Sequence, residues 1–126
     1  MSSLRDADKE AGAHAVAPRV SFADIEAAIA IRYDFTGEHA RQGVTPSHAN
    51  AGFRCDKLQE SLKLLSICIL VMGNGFTVIG KSAPASAANF NADLGRTLAY
   101  EDAIRQLWPL MGYALRDRLA AGHAAG

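Results

Sequence analysis

Two cations, Lys81 and Arg96, flank a short polar connection that also carries Ser82, Asn89 and Phe90. Gly80-Lys81-Ser82 leaves an apolar, β-branched stretch, and Asn89-Phe90-Asn91 opens a long helical pattern. The connection therefore runs from a strand end into a helix N-terminus. Free backbone N–H groups and the positive end of the helix dipole favour an anion at such a place. Arg96, in the first turns, works against that dipole unless an anion is present. Lys81 adds a second cation, and Phe90 either stacks on a base or packs inward. These residue types support capture of a small anionic ligand. They also fit ordinary surface chemistry, with Arg96 paired to Asp93 or Glu101, Lys81 solvated and Phe90 stapling the helix start. The connection matches no Walker or Rossmann fingerprint.

Catalysis and metal binding find less support. A nucleophile needs a base in reach and a group to orient that base. His14 and His123 fall in terminal stretches, His39 and His48 in loops. Cys68 lies in an apolar run, and Ser82 has no partner in the local sequence. No His, Cys, Asp and Glu cluster has metal-ligand spacing. No catalytic residue, cofactor or metal is expected, and His39 and His48 read as solvated. Arg105, Arg116 and Arg118 form a second basic surface, although Arg116 and Arg118 equally suit the dipole at a helix C-terminus. Trp108 and Tyr113, which flank Pro109, fit a core or a subunit interface better than a ligand cage.

The elements that position these residues follow from pattern. The chain has 126 residues, the span of one domain, and 49% are hydrophobic, enough for a core. Thirteen basic side chains balance thirteen acidic ones. A net charge of zero removes the broad basic footprint of a non-specific nucleic-acid binder and favours self-association. Cys55 and Cys68 form no disulfide framework, which fits a reducing compartment. Residues 1–18 hold no hydrophobic segment, so no signal peptide is expected. The longest apolar run, 64–72, is far short of the ~20 residues that span a bilayer. A soluble protein with no membrane partner is expected.

Residues 1–19 read as a flexible arm, 20–121 as a single α+β domain and 122–126 as a frayed tail beyond Gly122. Ser21 and Asp24 make a capping box, and Phe22, Ile25, Ala28 and Ile29 fall at helical spacing, predicting a helix over about 22–33. Tyr33 and Phe35 are expected to pack against the later helix. Thr36 caps a short turn through 38–41. The central element is a β-hairpin over about 64–80, turned at Asn74-Gly75, a pair that suits a type I′ turn. Asn89 or Asn91 caps a long helix over about 91–120, which packs on the hairpin and is kinked or broken near 106–108 by Pro109. A lone two-stranded hairpin is marginal, and its first strand is apolar on both faces. A second copy, packing on the sheet or extending it, is therefore expected.

Read together, Asn74-Gly75-Phe76-Thr77-Val78, Gly80-Lys81-Ser82-Ala83, Asn89-Phe90-Asn91 with Gly95, and Leu107-Trp108-Pro109-Leu110-x-Gly112-Tyr113-x-Leu115 resemble the small phage and prophage proteins of the Gp49, or gene-66-type, family. The likeness spans about 21–119 and is tightest over 64–115. Asn91 stands where that family usually has an acid, Ile79 where it usually has Thr, and 41–60 looks individual. The resemblance implies phage origin, the cytoplasm of an infected host, and a non-structural accessory role. Small phage proteins of that kind often counter host defence, some by sequestering nucleotide signals. The leading expectation is thus a non-enzymatic homo-oligomer that binds a small anionic, nucleotide-like ligand at a subunit boundary through Lys81, Ser82, Asn89, Phe90 and Arg96. The alternatives are a protein–protein inhibitor of a host enzyme, using residues 33–60 or the arm, and a weak nucleic-acid-binding accessory protein.

Overall fold

In a computed structural model, residues 3–125 are described. In chain order they form α1 (Ser3–His14), α2 (Phe22–Ala28), β1 (Ile29–Thr36), α3 (Gly37–Arg41) and α4 (Cys55–Leu58), which runs into a 3-10 turn (Gln59–Leu64). Then come β2 (Ser66–Met72), β3 (Thr77–Ser82), a 3-10 turn (Ala87–Asn89) and α5 (Ala92–Ala125). The fold is α+β: three antiparallel strands in the order β1-β2-β3, with α5 laid across one face.

The third strand corrects the helix expected over 22–33. The capping box forms as the sequence implies. The Asp24 N–H donates to Ser21 Oγ at 3.0 Å, and the Ser21 N–H donates to Asp24 Oδ2 at 2.9 Å. Those bonds hold the Asp24 carboxyl below its ordinary range. The helix ends at Ala28, however, and Ile29–Thr36 pairs with β2. Ile31, Tyr33 and Phe35 then alternate with Arg32, Asp34 and Thr36, a period of two that Ile29 and the helical spacing before it obscure. A register shift between Ile29 and Ile31 marks the crossover. Tyr33 is not core: it lies on the face away from α5, 56% exposed. Thr36 does cap α3, and the His39 ring completes its box by accepting the Thr36 N–H at 3.2 Å, so His39, exposed as expected, lies in a capped helix rather than a loop.

The hairpin joins β2 and β3 at the expected place with a different turn. Asn74 has no positive φ; only Gly75 does, at +89°. The Gly75 N–H donates to the Met72 carbonyl at 2.9 Å and the Phe76 N–H to Asn74 Oδ1 at 2.9 Å. This is the three-residue pattern, a tight turn closed by a left-handed glycine, in place of type I′.

The sheet has two unlike faces. Cys68, Leu70, Met72 and Val78 point at α5 and make a core with Ala99, Tyr100, Ala103, Ile104 and Leu107, closed at one end by Phe22 and Ile25. Asn91, not Asn89, caps α5, its Oδ1 accepting the Leu94 N–H at 3.0 Å. α5 continues unbroken through Pro109 and past Gly122 to Ala125, so the break near 106–108 is not found and residues 122–125 of the expected tail are helical, Gly126 lying outside the described residues. Its 34 residues span about 51 Å, roughly twice the length of any strand, so the C-terminal half outruns the sheet. The arm is also a correction. Ser3–His14 is helical and anchored: Arg5 pairs with Glu26 at 3.1 Å, Arg19 reaches back to Asp8 at 2.8 Å, and Leu4 packs against the core. Charged and alanine residues favour a helix by propensity, but only these distant partners fix it in place.

α5 approaches β3 so closely that Gly80 has no room for a side chain. A Cβ there would overlap the Ala99 carbonyl and lie 2.6 Å from the Ala103 nitrogen, both backbone atoms. Gly80→Ala is expected to destabilise the fold by about 3 kcal/mol, since backbone must move. Gly112, also on α5 but with open space around it, is the control: Gly112→Ala should stabilise by about 0.5–1 kcal/mol through helix propensity. Urea unfolding followed by circular dichroism measures both; a Gly80→Ala protein as stable as wild type would contradict the close approach.

Candidate functional site

The five residues expected to hold a ligand lie along the β3–α5 connection. Lys81 is exposed, on the sheet face away from α5, and its backbone N–H donates to Asp102 Oδ2 at 2.9 Å. Ser82, half-buried, ends β3 opposite Ser66. Asn89 is exposed at the end of the 3-10 turn. Phe90 is half-buried, its ring edge 3.9 Å from where a Gly95 Cβ would stand. Arg96 pairs with Asp93 one turn back, in a contact open to water on both sides. Lys81 and Ser82 are thus neighbours on the strand, and Phe90 meets the start of α5. The cations point to different partners, and none of the five lines the cavities below. Glu101, the other expected partner of Arg96, is buried instead.

A polar chain joins residues that no local motif links. The Tyr100 hydroxyl donates to Glu26 Oε2 at 2.8 Å, Arg5 pairs with the same carboxylate, and the Arg32 guanidinium lies 3.9 Å from the centre of the Tyr100 ring. Arg32 in turn pairs with Asp34 at 2.9 Å. Burial, then Glu26, pushes the Tyr100 hydroxyl well above its ordinary range. The phenol stays neutral and serves as a donor. Both cations of this polar chain face a carboxylate, Arg5 that of Glu26 and Arg32 that of Asp34.

Apolar surface is the larger feature. One cavity of about 610 Å³ lies between the hairpin turn and α5, lined by Ala30, Met72, Phe76, Leu107, Leu110 and Met111 among others. A second, of about 500 Å³, is formed by the 41–62 segment around Val44, His48, Phe53, Cys55 and Leu58. His48 and Cys55 share that cavity, but the Cys55 thiol donates to the Asn50 carbonyl at 3.6 Å rather than to the imidazole. The sequence reading offered residues 33–60 as a protein-contact segment but no cavity within it, because the pattern there is weak; Val44, Phe53 and Leu58 are exposed around the cavity. Among the described residues no group of His, Cys, Asp and Glu could hold a metal ion, and no helix is long and apolar enough to cross a membrane.

The sequence profile of the phage protein (N4 Gp49/phage Sf6 gene 66) family matches residues 20–119. The chain belongs to that family. The matched span opens just before α2 and runs into the C-terminal half of α5, so the phage family fold comprises the sheet, its core and the β3–α5 connection. No curated protein and no solved structure matches the chain.

The two cysteines of this family member differ sharply. Cys68 is fully buried in the middle of β2, and burial, with Asp34 adding to it, pushes its thiol up to about 11. A raised thiol pKa keeps Cys68 neutral at pH 8, with about a hundredfold less thiolate than an ordinary thiol. In a thiol titration of the native protein at pH 8, one equivalent, Cys55, should react promptly and the second only after unfolding. Raising the pH should accelerate the slow thiol until about pH 11. Two prompt equivalents would contradict this placement of Cys68.

Proposed function

We propose that this phage protein acts by binding rather than by turnover, and that its ligand is a small anion of the nucleotide class held along the β3–α5 connection. The observation that carries this reading is the state of the two cations. Lys81 forms no ion pair among the described residues, and Arg96 is engaged only by Asp93, in a pair whose side chains are 51% and 88% exposed. Such a pair contributes ~0–1 kcal/mol, so a better-placed anion can take the guanidinium. Ser82 and Asn89 add hydroxyl and amide donors, and the Phe90 ring adds an aromatic edge beside Gly95. Sequestration of a nucleotide-type defence signal in the infected host's cytoplasm is the role this chemistry supports, with no cofactor required.

A second reading rests on a separate observation. Val44, Phe53 and Leu58 expose 71%, 63% and 56% of their surface around the 41–62 cavity, where a host protein can dock. In that case the protein is an inhibitor by contact.

Calorimetry with a panel of cyclic nucleotides separates the two. Binding is expected, weakened about tenfold or more by Arg96→Ala and by Lys81→Ala, and tightened by Asp93→Asn, which releases Arg96. Silence across the panel removes the ligand reading. A stoichiometric host protein recovered by wild type, and lost on Phe53→Asp, supports the inhibitor.

A further inference from the structure

The sheet face away from α5 is an apolar surface laid out in three rows. Cross-strand register puts Ile31, Val71 and Thr77 in one row, Tyr33, Ile69 and Ile79 in the next, and Phe35, Ile67 and Lys81 in the third. Ile31, Tyr33 and Ile79 are 46%, 56% and 58% exposed. An antiparallel sheet ordinarily turns polar residues to the solvent on its second face. Here Lys81 is the one charged position in the nine, at a corner.

We propose that a second copy of this chain covers this face, the two sheets stacking across a twofold axis. Three observations favour a copy over another occupant. The first is area. Ile31, Tyr33 and Ile79 alone expose roughly 300 Å² per copy. A standard interface buries about 800 Å² per partner, and in homodimers about two thirds of that is apolar. These three side chains thus supply more than half of the apolar share of one homodimer interface, and the half-buried Phe35, Ile67, Ile69 and Val71 lie beside them.

The second observation is charge. A twofold axis centred on the face and running along or across the strands does not set Lys81 against its own counterpart. With the axis along the strands, Lys81 of one copy comes over the Phe35 position of the other, where a cation meets an aromatic face. With the axis across them, it comes over Thr77. No carboxylate on the face must be desolvated.

The third observation concerns the other route to pairing. Addition of a strand at the free edge of β3 is obstructed, because α5 already takes groups there. Asp102 accepts the Lys81 N–H, and Gln106 Nε2 donates to the Ile79 carbonyl at 2.7 Å. Stacking leaves these bonds intact. The inference stands on the sheet face alone and is independent of the ligand reading.

Light scattering of the purified full chain at tens of micromolar is the test. The 13.4 kDa chain is expected at twice that mass. Ile79→Lys and, separately, Tyr33→Lys should each return it to 13.4 kDa with an unchanged circular dichroism spectrum, since both side chains already face water in the single chain. A monomeric wild type would overturn the proposal and leave the face to a different protein. A dimer indifferent to both substitutions would overturn it too, placing the interface elsewhere.

Discussion

The close seating of α5 on β3 at Gly80 governs the rest of the fold. A helix normally packs on a sheet through side chains, at about 10 Å. Here the Ala99 carbonyl and the Ala103 nitrogen come near enough to β3 to exclude even a methyl group at position 80. The approach is possible because Gly95, Ala99 and Ala103 recur every four residues and give α5 one face without bulk. Close seating has two consequences. It brings Asp102 and Gln106 to the outer edge of β3, where they satisfy one N–H and one C=O that an edge strand otherwise leaves open. It also rotates the larger α5 residues, Tyr100, Ile104 and Leu107, toward β2 and α2, where the core lies.

Tyr100 carries that placement further. Its hydroxyl reaches Glu26 on α2, a residue 74 positions away, while its ring supports Arg32 on β1. Glu26 also takes Arg5, so α1 is tied to the same point. Four elements therefore meet through one phenol. Burial raises its pKa and keeps it a donor across the ordinary pH range. Phe22, with Tyr100 at 6.5 Å and Trp108 edge-on at 5.9 Å, fills the space beneath. The Trp108 N–H is satisfied by the Val20 carbonyl at 3.2 Å, which secures the chain just before α2.

Local signals in the sequence were reliable where the chemistry is local. The Ser21–Asp24 box, the Thr36 cap, the place of the hairpin turn and the Asn91 cap all depend on residues within a turn of one another. The errors arose where a distant partner decides. Ile29 satisfies the helix pattern before it and the strand pattern after it, and only pairing with Met72 and Val71 on β2 settles which wins. Tyr33 and Phe35 read as core by type, yet strand parity sends them to the opposite face from Arg32 and Asp34. The arm looked unstructured because its anchors, Glu26 and Arg19, lie outside it. For the candidate site, the sequence located the β3–α5 connection but not how its cations are engaged. The Asp93 contact was one of two options, and the other, Glu101, lies in the interior.

The ion-pair pattern explains how a chain of zero net charge can still present selective surfaces. Arg5, Arg19, Arg32, Arg41, Lys63 and Arg96 each face a carboxylate, so six of the thirteen basic side chains are matched at short range. A net charge of zero leaves no broad basic footprint to steer a polyanion. What is left is contact chemistry: apolar areas where water is displaced, and local cations whose partners are weakly held. Arg41 and Glu38 illustrate the contrast, since that pair is partly enclosed and strong enough to lower the Glu38 carboxyl, whereas Asp93 is almost fully in water. An exposed pair is easily exchanged for a ligand; an enclosed one is structure. On that criterion Arg96 is available in a way that Arg41 and Arg19 are not, and the Lys81 side chain forms no ion pair among the described residues.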